Sequence, residues 1–190
     1  MALKRYGPGK ESKDHQDRID TALTRARGWL LANRPSSTED RVFHLRGLVD
    51  VGGVPVREIE TARQRLLEEQ RSDGSWTQLA TMSAGDAYAT ATALMALRKA
   101  GLAAEHEAYR KGVGYLLRTQ RTDGAWIVET RIVRPVQRFF DNGDPGGKSQ
   151  FISFAATSWA TLALLETMPV LPIVNQDTRS DNSTGEPGRK

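Results

Sequence analysis

The sequence predicts an all-α fold made of repeated helical pairs, with charged helices in one layer and alanine-rich helices in another. Two observations predict it. A segment that ends in a glycine turn and a tryptophan occurs twice, and an alanine- and threonine-rich segment alternates with it. We therefore expect six helices, at about 18–33, 38–51, 56–70, 86–100, 106–119 and 149–167.

The first repeated element lies at the C-terminal end of the charged helices. The segment from Leu66 to Trp76 recurs from Leu116 to Trp126, a shift of 50 residues. Both copies keep a glutamine, an aspartate, a glycine and a tryptophan at the same spacing: Gln70, Asp73, Gly74 and Trp76, then Gln120, Asp123, Gly124 and Trp126. An earlier unit, 25–30, matches 111–116 and then diverges at Asn33-Arg34-Pro35.

The second repeated element forms the alanine-rich helices. Residues 90–97 recur as 157–164, and a degenerate version ends at Gly47-Leu48. Helices four and six are apolar or small nearly all round, which predicts burial on most sides. Helices one, three and five carry charge on one face, which predicts burial of the other face only. The alternation indicates two layers of helices.

Helix ends are marked by residues with suitable backbone preferences. Gly101 and the pair Gly52-Gly53 are expected to end helices four and two with positive φ. Ser37 or Thr38 begins helix two, with Glu39 and Asp40 in its first turn.

The glutamine–tryptophan turns have a structural role that needs no catalysis. The glycines permit the sharp turn, and the aspartates are expected to accept nearby backbone N–H groups. We expect each glutamine amide to bond a carbonyl in the last helical turn. Each indole is expected to fold back against the glutamine and the next outer helix and to cover a large apolar area.

Composition limits the classes of protein. The 190 residues are 38% hydrophobic with a formal charge of +4, and there is no cysteine. These values predict one globular domain at 18–168, a flexible basic tail at 1–17 and a disordered polar tail at 169–190. Basic and acidic residues alternate along the helices, so we expect no nucleic-acid surface. No apolar run is long enough to predict a transmembrane segment. No secretory signal is visible in the sequence, so the location is left open and the cytoplasm is only the default expectation.

Beyond these patterns, the segment from Lys111 to Trp126 resembles the QW motif of squalene–hopene cyclases and related terpene cyclases, and 62–76 is nearly as complete. The loop 140–145 leading to 157–160 is similar to the last repeat of bacterial squalene-cyclase-like, prenyltransferase-repeat proteins. The resemblance covers about 18–167. It implies an α/α-toroid, in which roughly six helix pairs close a ring, and this chain supplies three pairs. The expected fold is therefore a partial α/α-toroid of outer and inner helices.

The resemblance also suggests where chemistry would lie. Hopene-type cyclases protonate their substrate with an aspartate cluster at the start of an inner helix, and Asp86 is the one carboxylate at the matching place. It is the sole catalytic candidate, and a helix-capping role is the alternative. Four aromatic residues are candidates to line an apolar cavity, with plain core packing as the alternative: Tyr88, Phe151, Phe154 and Trp159.

We expect no cofactor and no metal. The zinc site of prenyltransferases needs a cysteine, and His15, His44 and His106 are dispersed. Oxygen atoms of 141–144 suit either a divalent cation or an ordinary Asx turn. Arg131, Arg134 and Arg138 make a basic stretch for a diphosphate, for an acidic partner or for solvent.

The leading hypothesis is a squalene-cyclase-like repeat protein without cyclase activity of its own, which binds an apolar, isoprenoid-like ligand or a protein partner. One alternative is a subunit or fragment of an active terpene cyclase or prenyltransferase, and another is a purely structural scaffold. Three pairs leave apolar surface on the first and last helices. Three explanations are open for such a half-ring. The chain could be the C-terminal half of a longer gene product, it could pair with a second copy or with another toroid half, or it could be a decayed remnant of a full toroid.

Overall fold

The computed structural model describes residues 13–131, 143 and 146–168, and these residues form helices and turns without a β-strand. The helices are α1 (Lys13–Ala32), α2 (Thr38–Val51), α3 (Val56–Glu68), α4 (Ala87–Lys99), α5 (Glu107–Thr119) and α6 (Gln150–Leu165), the last preceded by a 3₁₀ turn (Gly147–Ser149). The all-α prediction is confirmed. Helix α1 already includes Lys13, the first residue of the described range, so it extends further toward the N-terminus than the predicted start at 18. Within the described ranges, no helix has the length and apolar character needed to cross a membrane.

The predicted signals set the helix ends. The Ser37 side chain accepts a hydrogen bond from the Asp40 backbone N–H, and the Asp40 carboxylate accepts one from Ser37 N–H, which makes a capping box at α2. Hydroxyl and backbone N–H donors of Ser37 and Ser36 around the Asp40 carboxylate, with the Ser37 side chain first, lower the pKa of Asp40. Positive φ follows α2 at Gly52 and Gly53, and follows α4 at Gly101. The end signals were therefore predicted correctly.

The even-numbered helices form a continuous inner row. Helix α4 packs against α2 on one side and α6 on the other, and the α4–α6 contact is the most extensive in the fold. The odd-numbered helices α1, α3 and α5, here called the outer helices, each pack against one or two helices of this row. This pattern of neighbours gives the two layers that the sequence predicted.

Helix α4 is the centre of the hydrophobic core. Nine of its thirteen residues are buried, on all sides of the helix, because it has inner neighbours on two sides and outer helices behind it. Small alanine side chains allow this close approach. The core around it is filled by larger residues from the other elements: Val42, Leu45, Leu66, Trp76, Tyr109, Leu116 and Trp126.

The prediction that α6 is buried on most sides is wrong. Its buried residues lie on the face toward α4, at Gln150, Ser153, Ala156, Ala160 and Ala163. The opposite face is apolar and exposed, with Phe151 79% and Phe154 72% accessible. Among the described residues no further inner helix packs on α6 as α6 packs on α4. An apolar sequence therefore leaves α6 half covered, because burial depends on the presence of a neighbour.

Candidate functional site

The two glutamine–tryptophan turns, here called the first QW turn (70–76) and the second QW turn (120–126), have the same internal hydrogen bonds. In the first, Arg71 N–H donates to Ser75 O at 2.9 Å and Gly74 N–H donates to Arg71 O at 2.9 Å. In the second, Arg121 and Gly124 N–H groups make the corresponding bonds at 3.0 Å each. Gly74 and Gly124 have φ of 89° and 85°. The sequence repeat is thus a repeat of backbone geometry.

The tryptophans join each turn to the helices on either side. Trp76 is fully buried, and its Nε1–H donates to Leu66 O in the last turn of α3 at 2.8 Å. Its backbone N–H donates to the Thr90 hydroxyl of α4 at 3.1 Å. Trp126 makes the matching bonds to Leu116 O at 2.9 Å and to the Thr157 hydroxyl at 3.1 Å.

The glutamines act differently from the prediction. Gln70 Nε2–H donates to Gly74 O at 3.0 Å and to Ala108 O of α5 at 2.8 Å, so it closes its own turn and fastens the next outer helix. The carbonyl in the last turn of the preceding helix is bonded by the indole instead. The expectation that glutamine serves this carbonyl was wrong, because the amide points away from the helix and the large indole lies across its end.

The aspartates stabilise the turns as predicted. Asp73 Oδ1 accepts the Ser75 backbone N–H at 3.0 Å and the Ser75 hydroxyl. The hydroxyl bond is the main reason that the pKa of Asp73 lies below its ordinary value. Asp123 Oδ1 accepts the Ala125 backbone N–H at 3.1 Å, and this bond, with the neighbouring Arg121, lowers the pKa of Asp123.

The two QW turns differ in what lies outside them. A side chain at Gly74 would overlap the backbone carbonyl of Lys111 in α5, whereas space is open around Gly124 in the described part of the chain. Arg118 also reaches back to donate to Asp73 O at 2.9 Å. The first QW turn is therefore in direct contact with the next outer helix, α5. The second turn has the same form, and no described helix occupies it.

His44 replaces the indole in the degenerate first repeat. Leu30 is the repeat equivalent of Leu116, and His44 Nε2 lies 2.8 Å from Leu30 O. A carbonyl only accepts, so the ring nitrogen carries the proton and donates. The ring comes from α2 instead of from a turn, and the sequence pattern around 33–35 gave no signal of it. The prediction that the three histidines are dispersed does not conflict with this structural role.

Asp86, the catalytic candidate, caps α4. Its Oδ1 accepts Ala89 N–H at 2.8 Å, and its Oδ2 accepts Gln78 Nε2–H at 2.8 Å. Burial raises the pKa of Asp86, although both of these hydrogen bonds act to lower it. Both carboxylate oxygens are therefore occupied by the protein. The buried Oε1 of Gln78 has no hydrogen-bond partner in the described chain.

Side-chain contacts that join α2, α4, α6 and Arg131 define a set of residues here called the central surface (Glu39, Arg46, Tyr88, Arg131 and Trp159). Tyr88 Oη–H donates to Glu39 Oε1 at 3.0 Å, and Arg131 donates to Glu39 Oε2 at 2.7 Å. Burial, with the Glu39 charge second, raises the pKa of Tyr88 to about 12. The Arg46 guanidinium lies 4.9 Å from the centre of the Trp159 ring, which links α2 to α6.

The four aromatic candidates thus fall into two places. Tyr88 and Trp159 lie on the central surface and pack against the core, while Phe151 and Phe154 lie on the exposed face of α6. The predicted oxygen ligands at 141, 142 and 144 lie outside the described residues, as do Arg134 and Arg138. In the described part of the chain no group of three acidic or histidine side chains is placed to hold a metal ion.

A basic cleft of about 220 Å³ lies between α1, α2 and α3 and was not predicted. Leu30, Leu48 and Ala62 contribute to its apolar wall. Four arginines and one glutamate also line it: Arg34, Arg41, Arg57, Arg65 and Glu58. Arg41 pairs with Glu69 at 2.6 Å. The cleft lies beside the position where the degenerate first repeat lacks a tryptophan turn, and arginines from three segments meet there only after folding.

No known protein-family model matches the chain.

Proposed function

We propose that the chain is a squalene-cyclase-like α/α-toroid repeat domain, one that binds an apolar, isoprenoid-like ligand or a partner and has no cyclase chemistry of its own. The observation that carries the binding part is the exposed apolar face of α6, which includes Phe151, Phe154 and Leu165. Faces of this kind mark interaction sites in soluble proteins. The toroid assignment is supported by the two QW turns, whose internal bonds are the same.

The environment of Asp86 supports the absence of cyclase activity. Protonating an alkene needs a strong acid with neighbours that hold and direct its proton. The pKa of Asp86 is raised by burial, which makes it a weaker acid, and Ala89 N–H and the Gln78 amide occupy its two oxygens. In the described ranges no second carboxylate hydrogen-bonds it. A capping residue held in this way is a poor proton donor to a hydrocarbon.

Product analysis after incubation with squalene tests the absence of cyclase activity. We expect no cyclised product from the full chain, from Asp86→Asn or from a chain-free control. A cyclised product that the wild-type chain forms and Asp86→Asn does not form would overturn this part of the proposal. Circular dichroism of both proteins checks that the comparison is between folded chains.

The basic cleft favours a more specific ligand, an isoprenoid with an acidic head. Arg34, Arg57 and Arg65 suit a diphosphate, because guanidinium groups bind phosphate oxygens in pairs. The leucine and alanine wall suits a short hydrocarbon chain. This arrangement supports binding of a prenyl diphosphate in the cleft, without any step of catalysis.

Isothermal titration with a short-chain prenyl diphosphate tests the cleft. We expect saturable binding that Arg57→Ser weakens at least about tenfold, the loss typical of one charged contact. Arg110→Ser, an exposed arginine of α5 outside the cleft, serves as the matched control and leaves the affinity unchanged. Inorganic diphosphate separates head-group binding from hydrocarbon binding. No heat of binding, or equal loss in both variants, would exclude the cleft as the ligand site.

A further inference from the structure

The chain carries both halves of one helix-packing interface at its opposite ends, and each half lacks its partner in the described residues. The tail half is the second QW turn together with the exposed face of α6. The head half is the exposed face of α1, at Ala22, Arg25, Ala26 and Trp29, together with Phe43 of α2. The internal repeat shows how these halves fit, because the same interface is already formed once inside the chain.

The formed interface joins α5 to the first QW turn and to α4. The Gln70 amide donates to Ala108 O, the Lys111 carbonyl lies against Gly74, and Gly112 packs on Leu94. By sequence alignment of α1 with α5, the equivalents of Ala108, Lys111, Gly112 and Tyr115 are Ala22, Arg25, Ala26 and Trp29. Trp29 is 64% exposed, whereas Tyr115 is partly buried and donates to Gly85 O at 2.9 Å.

The tail half repeats the receiving surface. Gln120 makes the bond to Gly124 O that matches the one from Gln70 to Gly74 O, and no described outer helix accepts its other N–H. The exposed face of α6 aligns with one face of α4 at five positions. The pairs are Ala87 with Phe154, Ala91 with Ser158, Leu94 with Thr161, Met95 with Leu162 and Arg98 with Leu165. The first three of these α4 residues are buried, because α4 has a following repeat against it.

Side-chain size matches at the two unpaired ends. Where the formed interface sets Gly112 against Leu94, the open one sets the larger Ala26 against the smaller Thr161. Where the Lys111 backbone lies against Gly74, the open interface sets Arg25 against Gly124, around which the described residues leave space. The exposed face of α6 carries no charged residue. On α2, the exposed Phe43 stands at the position equivalent to Thr92 of α4, and Thr92 is buried.

From these correspondences we infer that the head of one chain docks on the tail of a second copy, and that two copies close a ring of six helix pairs with two identical interfaces. Head-to-tail contacts form rings when the rotation closes and filaments when it does not. The Arg46 guanidinium of α2 lies over the Trp159 ring of α6, so the first and third helices of the inner row are joined by a contact. This inference rests on the proposed repeat architecture and is independent of the ligand.

Light scattering across a dilution series of the full chain tests the pairing. We expect a mass near twice the 21.0 kDa of one chain at high concentration and one chain at low concentration. Phe154→Glu at the tail and Phe43→Glu at the head are each expected to raise the dissociation constant at least about tenfold. Val56→Glu changes an exposed valine at the start of α3, outside both halves, and is expected to leave the dissociation constant unchanged.

Mixing the two variants separates head-to-tail pairing from other arrangements. A mixture of Phe154→Glu and Phe43→Glu retains one unaltered interface per pair, so we expect mixed pairs to form more readily than either variant pairs with itself. A single chain at every concentration, masses that grow beyond two copies, or a Phe43→Glu chain that pairs like the wild type would each overturn the inference. Since all three variants change exposed residues, thermal unfolding is expected to show folded chains throughout.

Discussion

The indole N–H of Trp76 donates to the carbonyl oxygen of Leu66 at 2.8 Å, with both groups buried. Trp126 and Leu116 repeat this bond at 2.9 Å, and His44 makes its counterpart to Leu30 in the first repeat. A helix end leaves its last carbonyls without partners inside the helix. In all three repeats a ring N–H from outside the helix satisfies the equivalent carbonyl, so this bond is the common element of the fold.

Replacing Trp76 with phenylalanine is expected to lower the free energy of unfolding by about 2–4 kcal/mol. The change leaves a buried carbonyl without its donor and a small cavity behind the ring. Trp126→Phe is expected to have a similar effect, because the bond and the burial are the same. Urea denaturation of both variants measures these values. A loss below about 0.5 kcal/mol in either would show that the indole is dispensable there.

His44→Phe tests whether histidine replaces the indole in the first repeat. The substitution keeps an aromatic ring and removes the donor to Leu30 O, so we expect a loss of about 1–2 kcal/mol. Hydrogen exchange is expected to accelerate mainly in α1 and α2. His106→Phe, at an exposed helix start, is the control, and its effect is confined to the start of α5. Unchanged exchange in α1 would contradict the role assigned to His44.

Asp86 is expected to weaken the fold as it ionises. The pKa of Asp86 is higher in the folded state than in the unfolded state, so the folded chain holds the proton more tightly. The protonated carboxyl therefore contributes to stability at low pH, and this contribution is lost as pH rises through the folded-state pKa. An asparagine at this position would keep the cap, and its amide suits the unpartnered Oε1 of Gln78. We therefore expect Asp86→Asn to gain stability relative to wild type as pH rises above about 4.

Asp86→Ala provides the contrast, since it removes the cap and is expected to cost about 1 kcal/mol. Urea titrations of both variants between about pH 3.5 and 7, values chosen to bracket the ordinary aspartate pKa of about 3.9, measure the difference. If the difference in free energy of unfolding between wild type and Asp86→Asn does not change with pH, the claim that folding raises the pKa of Asp86 is contradicted.

Asp73 is expected to show the opposite pH dependence. Its folded-state pKa is lowered, chiefly by the Ser75 hydroxyl, so its contribution is present above the unfolded pKa and is lost as pH falls through the folded value. Relative to Asp73→Asn, the wild-type chain should lose its advantage on acidification. Urea titrations extended down to the lowest pH at which the chain still folds measure it. An advantage that persists at the lowest pH at which the chain folds would exclude the carboxylate as its source.

Local features of the fold were predictable because local sequence decides them. The glycine turns at 74 and 124 and the helix start at Ser37 depend on residues within a few positions, and the structure has them as predicted. The bond from Gln70 to Ala108 and the replacement of an indole by His44 depend on which helices become neighbours. The exposure of α6 depends on a neighbour that its composition does not specify. The arginine cleft joins three segments that are separate in sequence.

The most direct test of the repeat account compares Gly74→Ala with Gly124→Ala by urea denaturation, in the Phe154→Glu background that keeps the chain single. Both glycines have positive φ, so alanine costs about 1–2 kcal/mol at either. At Gly74 the new methyl group also meets the Lys111 carbonyl, while Gly124 is open. We therefore predict that Gly74→Ala is more destabilising by at least about 1 kcal/mol. Equal losses would contradict the claim that the first QW turn is occupied by an outer helix and the second is free.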